Sequence, residues 1–356
     1  MMGAQSQISA DAIRDAKNKN MKMRERDLAT QLGISEAEYL EAWIDHGVER
    51  MNVDLSTFFS MLKDAGEVMS LSRNESAVHE KIGTYESFSS NKHASIVLGP
   101  QIDLRIFGKH WTHAYHVTKQ LDEGKTQRSF QFFDTTGTAI HKVFSRPQTN
   151  LEQWDEIRKV LTKNPPKNPS FKTAEKTNSE PYNISAEATE NLQADWAALQ
   201  DTHSFQAMLR RHKLPRLEAI RLVGEKFTTQ LADDTIELLF NRLPADALPI
   251  MVFVRNSGIL QIHSGPIKNI KRMGPWLNVL DEDFHFHLRT DQIASTWLVR
   301  KPTKRGDIFS IEAFDEEGNQ IVLLNGYRRE GDEADVVAMW DQIVKSLPTK
   351  SEASEN

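Results

Sequence analysis

The chain has 356 residues and a mass of 40.6 kDa, which at about 150 residues per domain allows two or three packing units and a sizeable core. Lys and Arg total 44 against 50 Asp and Glu, and the resulting charge of −6 disfavours a dedicated binder of nucleic acid or anionic membrane. No cysteine occurs, so disulfides, thiolate nucleophiles, Cys-ligated zinc and iron–sulfur clusters are excluded together, leaving histidine, carboxylate and methionine as metal ligands.

Taken in chain order, Met1 to Arg14 is polar and lacks the apolar core of an export signal. No apolar run approaches the roughly 20 residues needed to span a bilayer, so a cytoplasmic location without a membrane span is expected. Helical patterns fill residues 9–65, strand-like alternation fills about 81–145, and a helix follows over Leu151 to Leu161. Inside the first stretch, RERDLATQLGISEAEYLEAW (24–43) predicts an αα-hairpin with Gly33 at the turn and Ser35 as an N-cap. Its second helix is acidic and would repel phosphates, which favours packing over DNA reading. KNPPKNPSFKTAEKTNSEPYN (163–183), with four prolines, reads as a linker. Beyond it, helical patterns cover 186–241, strands 249–325, and a closing helix Ala334 to Leu347.

The same order thus occurs twice. FQFFDTTGTAI (130–140) and SIEAFDEEGNQI (310–321) align at an offset of 181, placing Phe133 on Phe314, Asp134 on Asp315, Gly137 on Gly318 and Ile140 on Ile321. The expected fold is α+β: two tandem repeats, each of helices followed by an antiparallel sheet, packed into one body. Its boundaries are 1–162 for the first repeat, 163–184 for the linker and 185–356 for the second.

Chemistry-bearing residues follow from this frame. In a predicted helix over about 187–212, Leu192, Trp196, Leu199 and His203 share one face. An imidazole on such a stripe is held neutral with a lone pair for a metal, although a core histidine bonded to a carbonyl is the commoner outcome. Arg210, Arg211, His212, Lys213 and Arg216 follow, either as a solvated cationic helix end or as grips for carboxylates. An apolar face with one ligand and neighbouring arginines has the polarity of a haem. In QIDLRIFGKHW (101–111), alternation puts Asp103, Arg105 and Phe107 on one strand face. Arg105 there is half of an ion pair with Asp103 or, facing a cavity, a donor to an iron-bound water, oxygen or peroxide. His110, His113 and His116, and His285 with His287, lack the HExxH spacing, so zinc catalysis is disfavoured. Neither GxGxxG, GxxxxGK[ST] nor GxSxG occurs.

RNESAVHEKIGTY (73–85), IDLRIF (102–107), DTHSF (201–205) with RRHKLPRLEAIRLV after it, MVFVRNSGILQIHSGP (251–266), GPWLNVLDEDFHFHL (274–288), WLVRKPT (297–303) and NGYRREG (325–331) occur in this order. Through these motifs the chain resembles the bacterial cytoplasmic hemin-degrading factor family along nearly its whole length. The resemblance implies a duplicated α+β fold with a haem cleft, His203 as the proximal iron ligand and Arg105 on the distal face. It implies Arg216 and Lys301 on the propionates with Arg328 nearby, and Phe107, Met251 and Phe253 lining the macrocycle. Many relatives carry a tyrosine where this chain has Asn325, and Tyr327, two residues on, would supply the missing hydroxyl. The activity implied is degradation of imported haem with release of iron, Arg105 and His203 being the catalytic pair and NAD(P)H or a reductase the external electron donor. The alternative is a haem chaperone that delivers its cargo to a separate haem oxygenase. Implied partners are therefore haem, a reductase, a haem importer or a downstream oxygenase, with monomer and dimer both open.

Overall fold

The computed structural model describes residues 8–91, 95–121, 124–173, 182, 184–304, 306–327 and 334–354, without the side chains of His203, Ala334, Asp335 and Ser354. Two compact units emerge: Met1–Arg73, Glu80–Glu175 and Asn256–Leu260 form the first, and Asn74–His79, Lys176–Arg255 and Gln261–Asn356 the second.

The first unit opens with α1 (Ala10–Lys19), α2 (Glu25–Leu32), α3 (Glu36–Glu41), β1 (Val48–Met51) and α4 (Leu55–Leu62). Strands β2 (Val68–Arg73), β3 (Ala77–Gly83), β4 (Ser87–Ser90), β5 (Ser95–Leu98), β6 (Asp103–Ile106), β7 (His113–Gln120), β8 (Thr126–Phe133) and β9 (Ala139–Ser145) follow, and α5 (Leu151–Leu161) closes it. The αα-hairpin is borne out. Gly33 ends α2 at φ 70°, and Ser35 starts α3 with a capping box, its backbone N–H donating to Glu38 Oε2 at 2.8 Å. Strands β1-β7-β8-β9-β2-β3 neighbour one another in that order, and β4, β5 and β6 form an antiparallel meander of their own. Phe58, Phe130, Phe132 and Trp154 fill the core, with Trp154 stacked on Phe130 at 4.2 Å.

The second unit contains α6 (Ala186–Ala197), α7 (Phe205–His212), α8 (Arg216–Leu222), β10 (Thr228–Leu231) and α9 (Thr235–Asp246). Then come β11 (Ile250–Arg255), β12 (Ile259–Gly265), β13 (Ile270–Met273), β14 (Trp276–Leu280), β15 (Phe284–Arg289), β16 (Ser295–Lys301), β17 (Ile308–Phe314) and β18 (Gln320–Gly326), with α10 (Ala334–Lys345) and α11 (Lys350–Ser354) at the end. Strands β10-β16-β17-β18-β11-β12 neighbour one another in that order, and β13, β14 and β15 form a second antiparallel meander. One face, with Val252, Ile311 and Leu324, is buried with Leu239, Phe240 and Trp340. On the other face, Val299 and Phe314 pack with Leu192, Trp196, Phe205 and Ile220 of the preceding helices.

The α+β duplication expected from the sequence is therefore borne out, down to detail. Gly137 and Gly318 both take positive φ, 82° and 80°, in Asp-x-x-Gly hairpins. The preceding strands carry matching irregularities, between Phe132 and Phe133 and between Ala313 and Phe314.

Four expectations need correction. The continuous helix over 187–212 is broken: α6 stops at Ala197, and His203 lies in a separate 3-10 turn, Thr202–Ser204, so it does not extend the stripe of Leu192 and Trp196 on one helix. Asp201 and Thr202 favour turns over helix interiors, and Gln200 O accepts instead from Lys304 N at 3.2 Å. The helical stretches 9–65 and 186–241 each hide a short strand, β1 and β10, stabilised by pairing with β7 and β16. Strands begin at Val68, ahead of the expected 81. Part of the proline-rich stretch is packed: Phe171 lies 4.6 Å from the His113 ring, and Lys172 N donates to Thr135 O at 2.8 Å.

Candidate functional site

Register in the second sheet decides which side chains meet. Met251 pairs with Asn325 and Phe253 with Leu323; on the next strand Asn325 pairs with Ser310 and Leu323 with Glu312; on the next, Ser310 pairs with Val299 and Glu312 with Trp297. Directly paired residues share a face, and so do residues two apart on one strand. Met251, Phe253, Leu323, Asn325, Ser310, Glu312 and Lys301 thus belong to one face, opposite the core of Val252 and Ile311. Met251, Phe253 and Asn325 are half-buried there.

The centre of this face is an acid that sequence reasoning missed. Glu312 is fully buried and accepts two bonds from Arg216, Nε to Oε2 at 2.5 Å and Nη2 to Oε1 at 2.8 Å. Lys301 Nζ reaches Oε1 at 2.8 Å and Ser310 Oγ also at 2.8 Å, while Gln320 Nε2 donates to Oε2 at 2.9 Å. Arg216 and Lys301, expected to serve one ligand, are therefore brought together on a single carboxylate. Above them lies Phe205, its ring 4.8 Å from the Arg216 guanidinium and 5.0 Å from Lys301 Nζ. Phe205 opens α7, two residues after His203.

Electrostatics follow from burial and pairing. Burial pushes the Glu312 carboxyl up, but Arg216 and Lys301 together outweigh it and hold the group well below the usual carboxylate range. Lys301 is pulled down to about 8, by burial first and against the attraction of Glu312. Arg255, at the end of β11, is shifted down by burial and by repulsion from Arg216. Two cations share one acid, which leaves surplus positive charge at the rim of an apolar wall. Two further polar atoms on this face, Asn325 Oδ1 and Trp297 Nε1, are buried with no hydrogen-bond partner among the described residues.

The other expected residues are placed as follows. Tyr327 is half-buried just past the end of β18, held by a bond from its N–H to Pro249 O at 3.1 Å. Arg328 and the side chain of His203 lie outside the described residues. Arg105 and Phe107 belong to the first unit. The alternation of β6 is as expected, Leu104 and Ile106 being buried, and Arg105 makes the anticipated ion pair with Asp103. Phe107 is fixed through its N–H to Gly258 O at 2.8 Å. His285 and His287 lie 6.4 Å apart on β15, with His287 Nδ1 2.6 Å from Asn278 Oδ1. Glu312 left one signal in the sequence, an acid at a buried position of the apolar strand IFSIEAF.

Comparison with known proteins gives a consistent picture. The family model of the haemin-degrading HemS/ChuX domain matches residues 33–161 and again 213–347. The hemin transport protein HmuS of Yersinia pestis is 36% identical over 307 residues, covering 86% of this chain and 88% of that protein. The solved structure of the Escherichia coli O157:H7 heme-degrading enzyme ChuS superposes with a TM-score of 0.86 at 31% identity, covering 94% of this chain and 97% of the other. The haem-bound form of PhuS, a heme-binding protein of Pseudomonas aeruginosa, also gives 0.86, at 34% identity with 96% and 98% covered. Two domain matches within one chain and relatives aligned over nearly their whole length place the protein in the haemin-degrading HemS/ChuX family.

Proposed function

We propose that the chain binds haem against this face of the second sheet and degrades it, releasing iron. The observation that carries the reading is the convergence of Arg216, Lys301 and Phe205 with the half-buried Met251 and Phe253 on one sheet face. A macrocycle needs flat apolar walls, and its two carboxylates need fixed cations. Glu312 holds both cations in place before ligand arrives, so propionates meet pre-oriented donors. Asn325 Oδ1 and Trp297 Nε1 offer an acceptor and a donor with no other partner among the described residues. His203 is proposed as the iron ligand and Arg105 as the distal donor, with Phe107, Tyr327 and Arg328 as further contacts. Reductive opening of the macrocycle consumes electrons, and no dinucleotide fingerprint in the chain supplies them, so an external electron donor, NAD(P)H or a reductase, belongs to the proposal.

A second reading has its own support. Relatives at 36% identity are hemin transport proteins, whereas E. coli ChuS at 32% identity is described as a heme oxygenase. The carrier and the enzyme would use the same contacts. Purified protein mixed with haem, reductant and catalase separates them: loss of the Soret band with free iron marks turnover, and a persistent band marks a carrier. His203→Ala should change the visible spectrum or weaken binding. Arg105→Ala should leave binding largely intact and slow breakdown, and equal turnover by that variant would deny it the distal role.

A further inference from the structure

The duplication allows the site to be compared with its own copy. By strand register, Met69, Leu71 and Arg73 of β2 take the places of Met251, Phe253 and Arg255, and Lys142 that of Leu323. Gln131, Ser129 and Lys119 likewise stand for Glu312, Ser310 and Lys301. The helices align as well: α2 ends in left-handed Gly33 and α7 in left-handed Lys213, three residues before Glu36 and Arg216 respectively. Glu36 therefore occupies the position of Arg216.

The polarity of the copy is reversed. In the second unit the acid lies in the sheet and a base on the helix reaches down to it. In the first unit the acid is on the helix and the bases are in the sheet: Glu36 Oε1 pairs with Arg73, and Oε2 accepts from Lys142 Nζ at 2.7 Å. These three side chains are only 12%, 9% and 15% exposed. Lys119, the counterpart of Lys301, is taken by Glu25. Where Phe253 and Leu323 present an apolar wall, Leu71 and Lys142 stand instead, with the Glu36 carboxylate drawn over Lys142. A planar ligand with two carboxylates would have to break both bonds of Glu36 before it met either cation, leaving that acid buried and unpaired.

We infer that Glu36 is a lock that keeps the first unit's copy of the face from accepting a second tetrapyrrole, so that the chain takes one per molecule; the nature of the ligand rests on the haem reading above. At the place of His203 the first unit carries Met23, a thioether instead of an imidazole. A tetrapyrrole admitted there would lack the imidazole signature.

Hemin titration of the full chain, with bound iron counted after desalting, tests this. The wild type should bind one equivalent. Glu36→Gln should add a second, weaker equivalent that is insensitive to His203→Ala and is lost when Arg73→Ala and Lys142→Ala are added. Far-UV circular dichroism checks that each variant is folded. If Glu36→Gln does not fold, Arg73→Ala/Lys142→Ala alone supplies the second measurement and should still bind one equivalent. Two equivalents in the wild type, with one lost in that double variant, would overturn the inference. So would one equivalent in folded Glu36→Gln and Glu36→Ala alike. No binding by the wild type removes the haem reading itself, and with it the need for a lock.

Discussion

Replacing Glu312 with glutamine keeps the shape of the side chain and removes its charge, which isolates the electrostatic contribution of the cluster. The carboxylate is fully buried and accepts from Arg216, Lys301, Ser310 and Gln320. Taking away one member of a buried ion pair costs about 3–5 kcal/mol, because the remaining charge is stranded in a medium of low polarity. Here two cations lose their counter-ion, and they respond differently. Burial already holds Lys301 near about 8, so it can shed its proton at neutral pH at a cost of about 1.4 kcal/mol per pKa unit. Arg216 has no such escape. The expected loss at neutral pH is therefore at the low end, about 3 kcal/mol. Its pH dependence is the distinguishing mark. Without Glu312 the folded-state pKa of Lys301 falls further below its unfolded value of about 10.4, and between the two the unfolded chain binds the extra proton, so stability rises with pH. The wild type gains from this only above about pH 8, whereas the variant gains from a lower pH, so the deficit should narrow from about pH 7 to about pH 9. Urea unfolding followed by circular dichroism and tryptophan fluorescence at both pH values measures it, and adding Lys301→Met should recover part of the loss. A deficit under about 1 kcal/mol, or one that does not change with pH, would refute the picture of a desolvated two-cation cluster.

Two further expectations concern the frame that carries the predicted site residues. His141 is buried between Ser72 Oγ at 2.9 Å and the Tyr85 hydroxyl at 2.7 Å, and burial pulls it down to about 3. Its contribution is complete above the unfolded value of about 6.5 and is lost as pH falls toward the folded value, at about 1.4 kcal/mol per pH unit; His141→Gln should flatten that part of the acid limb in equilibrium unfolding, and an identical slope would exclude it. A Cβ at Gly258 would lie 2.6 Å from Ile140 Cδ1 and 2.9 Å from Trp111 Nε1, while its carbonyl accepts from Phe107 N and Trp111 Nε1. Gly258→Ala should cost about 1–3 kcal/mol of overpacking and speed hydrogen exchange at the Phe107 amide, and unchanged protection would show that the backbone absorbs the methyl.

What the sequence revealed and what it concealed divide along the range of the interactions involved. The Asp-x-x-Gly hairpins at 134–137 and 315–318, the capping box at Ser35 and the alternation around Arg105 are fixed by neighbours a few residues apart, and each is in place. The four-residue strands β1 and β10 are too short to announce themselves inside helical stretches; they exist because β7 and β16 offer them edges. The break in the 187–212 stretch combines both ranges, the local turn preference of Asp201 and Thr202 and the distant bond from Lys304 N to Gln200 O. Glu312 belongs to the long-range class, since its partner Arg216 is 96 positions away. A lone acid in an apolar strand announces a buried partner without naming it. Only when strand register supplies the correspondence does the exchange of Glu36 for Arg216 gain meaning, as one position in a repeated fold where reversing the sign of a side chain moves the buried acid from sheet to helix. With Glu36 as the lock inferred above, the two copies of the fold differ in function at one helix start, where Glu36 and Arg216 stand at corresponding positions.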